Sequence, residues 1–137
     1  MKLPRDGHSG YNPVSQRATM AQTQVNLMFR AFSDPTRLRI LHLLLDGELC
    51  VGDLVKILKV PQPTASRHLA YLRRTGLVAT RKNGLWNYYT LQPAKTEFHR
   101  HLLKCLRGCF HAVPELAKDS SRAASVKRSG GCCPVSS

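Results

Sequence analysis

The sequence predicts a mainly α-helical domain that carries one small β-hairpin. Leucines recur at helical spacing in several segments before residue 75, and two runs rich in strand-forming side chains then flank the dipeptide Asn83-Gly84. The chain has 137 residues, which is enough for one globular domain and too little for two. We therefore expect one folded unit, at residues 20–116.

The two ends of the chain lack the apolar periodicity of a folded segment. Residues 1–19 are rich in proline, glycine and polar side chains, and residues 117–137 contain six serines and the pair Gly130-Gly131. Burial of so little apolar surface does not offset the entropy that is lost on ordering the chain. We expect a flexible arm at residues 1–19 and a flexible, cysteine-containing tail at residues 117–137.

The first two helices are predicted from apolar spacing and from the signals at their ends. A first amphipathic helix ends near Ser33, and a second begins directly after it. Asp34 can accept a backbone hydrogen bond as the N-cap, and Pro35 suits the first helical position, where an N–H group would have had no partner. The dipeptide Asp46-Gly47 ends the second helix.

Two further helices follow. A short one is predicted at residues 51–58, and a longer one at residues 62–74 places Ala65, Leu69 and Leu72 on one buried face. Basic side chains lie on the opposite face of the longer helix. That helix is therefore the candidate recognition element.

The hairpin is predicted from strand-forming side chains around a turn. Strands are expected at residues 77–82 and 85–91, with Asn83-Gly84 forming a type I′ turn between them, because both residue types tolerate positive φ. We expect the aromatic side chains of the second strand to pack in the core of the hairpin: Trp86, Tyr88 and Tyr89.

A final helix is predicted at residues 95–113. It aligns Phe98, Leu102, Cys105 and Cys109 on one stripe, with basic residues opposite. A helix with one apolar face needs a partner surface.

The charge of the chain predicts a polyanionic partner. Lysine and arginine total 21 against 8 acidic residues, which gives a net charge of +13. Double-stranded DNA is favoured over an anionic membrane surface, because residues 54–96 contain no acid while their bases fall on the helices and the hairpin. The bases in this stretch are Lys56, Lys59, Arg67, Arg73, Arg74, Arg81, Lys82 and Lys95.

Three helices with a short turn before the third, followed by a hairpin, are typical of a winged helix-turn-helix. The helix at residues 62–74 would enter the major groove, where arginine can read guanine and glutamine can read adenine. The hairpin would follow the neighbouring phosphates. The residues expected to contact DNA are Gln62, Thr64, Ser66, Arg67, Arg73, Arg74, Arg81 and Lys82.

Five segments resemble the ArsR/SmtB family of winged-helix metalloregulators. They are SDPTRLRIL at 33–41, ELCVGDL at 48–54, QPTASRHL at 62–69, GLV at 76–78 and RKNG at 81–84. The resemblance implies a homodimeric repressor that binds operator DNA and releases it when a metal, a metalloid or, in some members, a sulfur oxidant binds. It also implies dimerisation through the first and last helices.

The cysteines of the chain bear on which inducer the resemblance implies. The segment at 48–54 is similar to the arsenic-responsive branch, which typically has a second cysteine where this chain has Gly52. Trivalent arsenic is a soft ion that prefers about three thiolates, so Cys50 alone cannot form its site. We expect As(III) or Sb(III) to bind the other four cysteines, which are Cys105, Cys109, Cys132 and Cys133. Cys50 is a further, less favoured candidate.

Two alternative inducers remain open. Zinc or cadmium could bind donors on the last helix, although the acidic residues usual in the zinc sites of the family are missing. A redox or persulfide sensor could instead pair Cys50 with Cys105 on oxidation. The donors of the alternative metal site would be His99, His101, Cys105 and His111.

Several function classes are excluded by the same composition. The chain has no phosphate-binding glycine loop, no nucleophile elbow and no paired catalytic carboxylates, so we do not expect an enzyme. It has no apolar run of about 18 residues and no secretion signal, so we expect a cytoplasmic protein with reduced cysteines and no membrane partner.

Overall fold

A computed structural model describes residues 13–131, with side chains from residue 22 onward. The helices are α1 (Pro13–Ser33), α2 (Pro35–Leu43), α3 (Val51–Leu58), α4 (Gln62–Arg74), α5 (Glu97–Gly108) and α6 (Pro114–Arg128), with a 3-10 turn at Leu44–Asp46. The strands are β1 (Leu49–Cys50), β2 (Val78–Asn83) and β3 (Trp86–Leu91). They form an antiparallel sheet in the order β1-β3-β2. This architecture confirms the predicted fold class, a mainly helical winged helix-turn-helix.

The predicted ends of the helices are confirmed in the central part of the chain. The side chain of Asp34 accepts a hydrogen bond of 2.9 Å from the backbone N–H of Arg37, and Pro35 is the first residue of α2. The bounds of α3 and α4 are those expected from the sequence. These helices bury a common core whose fully buried side chains include Ile40, Leu41, Leu54, Ile57, Leu69, Leu72, Leu77 and Leu106.

The hairpin differs from the prediction by one residue in its turn. Asn83 pairs with Trp86, so the two-residue loop is Gly84-Leu85 rather than Asn83-Gly84. Gly84 has φ +63°, and Leu85 does not have positive φ. A positive φ at the first loop position alone is the pattern of a type II′ turn, which requires glycine there and leaves the second position open. The turn therefore needs only one residue that tolerates positive φ.

The helices at the two ends depart from the expected bounds. Helix α1 begins at Pro13, inside the segment expected to be a flexible arm. Helix α5 is shorter than the predicted span: the Thr96 hydroxyl accepts a hydrogen bond of 3.1 Å from the backbone N–H of His99, and Cys109 is the C-cap. Threonine at an N-cap explains why the helix begins there rather than at residue 95.

Helix α6 (Pro114–Arg128) shows that the first part of the expected flexible tail at residues 117–137 is helical, and residues 132–137 lie outside the described part of the chain. The helix packs against α2 and α3 and buries Leu116 and Ala123, with Val126 partly buried against the core. Its sequence carries end signals that composition alone does not reveal: Pro114 in the first turn and Gly130 just beyond the end. Its apolar residues are few, but they share one face.

A buried ion pair joins α6 to α2. The guanidinium of Arg39 donates from Nε to Oδ2 of Asp119 at 2.8 Å and from Nη2 to Oδ1 at 3.0 Å. The Asp119 side chain is fully buried, and the Arg39 side chain is 11% exposed. Arg39 also donates to the carbonyl oxygen of Leu58 at the end of α3, at 3.0 Å. One side chain therefore ties together α2, α3 and α6, and its hydrogen bond to Asp119 raises the pKa of Arg39.

We expect Asp119→Ala to lower the free energy of unfolding by about 3–5 kcal/mol, because it leaves the Arg39 guanidinium without its buried partner. Urea denaturation followed by circular dichroism measures this loss. Glu115→Ala is the matched control, since Glu115 also pairs with Arg39, at 3.5 Å, but is 58% exposed. We expect the control to lower the free energy of unfolding by only about 0–1 kcal/mol. Equal losses in the two variants would contradict a dominant buried pair.

Candidate nucleic-acid interface and thiol groups

Helix α4 separates apolar and polar side chains as predicted. Ala65, Leu69 and Leu72 have no exposed surface, so the helix is fixed to the core along one face. Thr64, in the first turn, is half-buried. The exposed side chains of α4 are Gln62, Pro63, Ser66, Arg67, Ala70, Arg73 and Arg74.

Two arginines stack on one tyrosine beside the exposed face of α4. The guanidinium carbon of Arg37 lies 4.1 Å from the ring centroid of Tyr71, and that of Arg74 lies 5.4 Å from the same centroid. Arg37 also donates from Nη2 to the carbonyl oxygen of Arg30 at 2.9 Å, at the end of α1. These cation–π contacts restrict the positions that both guanidinium groups can adopt. Arg37 was not predicted to lie here, because nothing local in the sequence places it against α4.

A groove runs between α4 and β2, with a volume of about 590 Å³. It combines cationic and small side chains, so a phosphate backbone could lie close to its floor. The residues that line it are Ala70, Arg73, Arg74, Val78, Ala79 and Thr80.

The hairpin of β2 and β3, which we call the wing, carries two of the predicted DNA contacts, and their side chains have different surroundings. Lys82 is exposed, as expected, at the outer end of β2. Arg81 is also exposed, but it forms a two-point ion pair with Glu48, at 2.8 Å from Nε and 2.6 Å from Nη2, and stacks over Tyr88 with its guanidinium carbon 4.5 Å from the ring centroid. The hydrogen bond with Glu48 raises the pKa of Arg81. Arg81 therefore has a partner within the protein, although 41% of its side chain surface remains exposed to solvent.

The aromatic residues of β3 divide between core and surface. Tyr88 is buried and Tyr89 packs against the core, as predicted. Trp86 is 38% exposed, in contrast to the expected core packing, and Leu85 beside it is 99% exposed. The tip of the wing therefore carries apolar surface next to Lys82.

The cysteines fall into separate groups. Cys105 and Cys109 carry free thiols near the end of α5, where Cys109 is exposed. A hydrogen bond with Cys109, together with burial, raises the pKa of the Cys105 thiol. Cys50 is buried at the N-cap of α3 and is disulfide-bonded. The remaining predicted ligands, Cys132 and Cys133, lie outside the described residues.

Within residues 13–131, no group of three or more histidine, cysteine, aspartate or glutamate side chains is placed to hold a metal ion. The donors of the alternative zinc site are dispersed: His99 is 1% exposed, whereas the His101 side chain is 72% exposed. Residues 13–131 of a single chain therefore contain no assembled set of ligands for the alternative zinc or cadmium site.

Comparison with known proteins gives a consistent family match. The sequence profile of the bacterial regulatory proteins of the arsR family matches residues 34–80. An uncharacterized HTH-type transcriptional regulator of Methanocaldococcus jannaschii is 52% identical over 63 residues, which are 45% of this chain and 71% of that protein. The arsenical resistance operon repressor of Escherichia coli K12 is 51% identical over 67 residues, which are 48% of this chain and 57% of the repressor.

Solved structures agree with the sequence comparison. The chain is similar to the homodimeric winged helix-turn-helix DNA-binding domain of a possible ArsR-family regulator from Mycobacterium bovis, determined by NMR. The TM-score is 0.59 at 28% sequence identity, and the match covers 73% of this chain and 87% of that domain. None of the helices over residues 13–131 has the length and apolar character needed to cross a bilayer.

His99 predicts a pH dependence of stability. Burial, with a smaller contribution from the charge of Lys95, lowers the pKa of His99 below its ordinary value of 6.5. The unfolded chain then binds the proton more readily, so stability falls as the pH drops through 6.5 toward the lower folded pKa. We expect the urea midpoint of the native protein to fall between pH 7.5 and 5.5, and His99→Phe to flatten this dependence. The exposed control His101→Gln should keep the native slope; an unchanged slope in His99→Phe would refute the assignment.

Proposed function

Because the chain belongs to the ArsR family of bacterial regulatory proteins, we propose that it is a homodimeric repressor that binds operator DNA. In this proposal, cysteine thiolates capture As(III) or a related soft ion, and the repressor then releases the operator. The observation that carries the DNA-binding part is the exposed face of α4, which presents Gln62, Ser66 and Arg67 from a helix whose opposite face is fully buried.

The proposed complex places α4 in the major groove. Side chains near the start of a recognition helix reach base edges, so Arg67 and Gln62 are the candidates for reading guanine and adenine. Arg73 and Arg74, at the other end of α4, line the groove next to β2 and would contact phosphates. Lys82 would reach the neighbouring backbone from the wing.

The proposed dimer surface combines α1 and α5. Phe29 is 54% exposed on α1, and its ring packs edge-to-face on Phe98 of α5 with centroids 5.1 Å apart. Leu102 continues the partly buried stripe along α5. A second copy would cover this apolar surface, and two copies of α4 would then address half-sites about one helical turn apart.

The proposed inducer follows from soft-ion chemistry and from the family. The Escherichia coli repressor of arsenical resistance shares half of the aligned positions with this chain, and thiolates are the protein ligands that soft ions prefer. Binding must favour a conformation with low DNA affinity, with a coupling free energy of about 1–3 kcal/mol or more. The proposed setting is the cytoplasm, where operator DNA and reduced thiols are both present.

The proposal is tested by selecting duplexes that bind the purified protein from a random pool. Bound duplex is then titrated with As(III), Sb(III), Cd(II), Zn(II) and a persulfide donor, with binding followed by fluorescence anisotropy. We expect nanomolar to micromolar duplex binding and release by As(III) or Sb(III). Release by Zn(II), Cd(II) or the persulfide alone would replace the proposed inducer, and failure to bind any duplex at low salt would reject the DNA-binding role.

We expect Arg67→Ala to weaken binding to the selected duplex by about 1–3 kcal/mol, because a bidentate contact to a base is lost. Fluorescence anisotropy at fixed salt measures the change. Lys118→Ala is the charge-matched control, since it also removes one positive charge but from the exposed surface of α6. An equal, small effect in both variants would show that Arg67 contributes only its charge.

A further inference from the structure

A small cavity lies where α2, α5 and α6 meet. It has a volume of about 170 Å³, which is the volume of about five or six water molecules. Sites for drug-sized ligands occupy about 300–1,000 Å³, so this cavity excludes a nucleotide and admits a small molecule. The side chains that line it come from α2, the end of α5, the following loop and the first half of α6: His42, Leu106, Arg107, Phe110, His111, Leu116, Ala117 and Ser120.

The inner part of this cavity is apolar. Leu106 has no exposed surface, Leu116 is 2% exposed, and Phe110 packs against the core; we call these three side chains the floor of the cavity. Arg107 and His111 are exposed, so they border its open side. An apolar floor with a few polar groups at defined positions is typical of a site for a small organic molecule.

One polar atom of the lining has no hydrogen-bond partner. His42 is half-buried, and its Nδ1 is fully buried and meets no donor or acceptor among the residues that the structure describes. Buried polar groups in folded proteins almost always have a partner, and an imidazole nitrogen can donate or accept, depending on its tautomer. A polar group of a molecule in the cavity would supply the partner that Nδ1 of His42 lacks.

The charge of the lining favours an anion. Arg107 carries a permanent positive charge, and the Ser120 hydroxyl and the two imidazoles can donate hydrogen bonds. None of the described residues that line the cavity is acidic. The two acids of α6, Glu115 and Asp119, both pair with Arg39. An anion in the cavity would therefore meet basic and donor groups without a competing carboxylate.

The buried ion pair between α2 and α6 holds the cavity in shape. On α2, Arg39 lies one helical turn before His42, which lines the cavity. The partner of Arg39 on α6, Asp119, is next in sequence to the lining residue Ser120. The pair therefore fixes two walls of the cavity. A site that is formed in advance costs less to order when a ligand binds.

We propose that this cavity binds a small monocarboxylate whose apolar part is about the size of a phenyl ring. The carboxylate pairs with Arg107 and accepts a hydrogen bond from Nδ1 of His42, while the apolar part covers the floor. A hydrogen bond between a guanidinium and a carboxylate is among the stronger polar contacts in proteins. Inorganic phosphate has the charge but no apolar part, so it would leave the floor in contact with water.

This inference goes beyond the proposed function and does not depend on it. Among the described residues that line the cavity, none belongs to α4, β2 or β3, which carry the proposed DNA contacts. None of them is a cysteine. The carboxylate site is therefore separate from the proposed operator contacts and from the thiols.

The first test uses the full chain with benzoate as the probe, followed by calorimetry and by nitrogen-15 NMR of the imidazole rings. We expect saturable binding, with a shift of the Nδ1 resonance of His42 and none for His101, which is 72% exposed. Neutral benzamide has the same shape and should bind at least about tenfold more weakly, because it lacks the charge. Absence of saturable benzoate binding, equal binding of benzamide, or displacement of benzoate by equimolar phosphate would overturn the proposal.

Variants of the lining separate this cavity from the general positive charge of the chain. Arg107→Ala removes the cation at the open side, and Ser120→Leu fills the cavity without changing a charge. We expect each variant to weaken benzoate binding at least about tenfold. Lys104→Ala is the matched control for Arg107→Ala, since Lys104 is also exposed on α5 but does not line the cavity.

The control should bind benzoate as the native protein does. Circular dichroism checks that each variant is folded, and the exposed position of Arg107 keeps its variant informative if Ser120→Leu does not fold. Native-like benzoate binding in a folded Arg107→Ala or Ser120→Leu variant would refute the assignment of the site. An equal loss in Lys104→Ala would do the same, because it would show that benzoate responds only to net charge.

Discussion

The proposed DNA-binding surface depends on the burial of one face of α4. Ala65, Leu69 and Leu72 are completely removed from solvent, and burial of a leucine side chain contributes about 1.5–3 kcal/mol. An exposed arginine contributes far less to stability through its charge. Apolar packing therefore decides the rotation of the helix, and the exposed polar set that contains Arg67 faces outward as a consequence.

Features set by neighbouring residues could be predicted from the sequence. The cap at Asp34, the bounds of α3 and α4, and the exposed face of α4 depend on spacings of a few residues, and all of them were confirmed. The hairpin was also predicted, but its turn was placed one residue early. Asn83-Gly84 and Gly84-Leu85 both allow a tight turn, and pairing of Asn83 with Trp86 selects the second.

Features set by distant residues could not be predicted. Asp119 is stable in the core because it pairs with Arg39, which lies 80 residues earlier in the sequence. Local composition does not show this partner, and for that reason the residues of α6 were predicted to form a flexible tail. The ion pair of Arg81 was not predicted, because its partner Glu48 lies 33 residues away in sequence. The position of Gly131 beside Asp53 depends in turn on α6.

The ion pair between Arg81 and Glu48 has a consequence for how the proposed repressor would respond to ionic strength. Affinity for a duplex falls with salt in proportion to the number of counterions that cationic side chains displace from phosphates. A guanidinium already neutralised by a carboxylate displaces few of them. The wing would then contribute to this dependence mainly through Lys82, so its role would be to hold shape at the edge of the groove, with most of the ionic attraction supplied by α4.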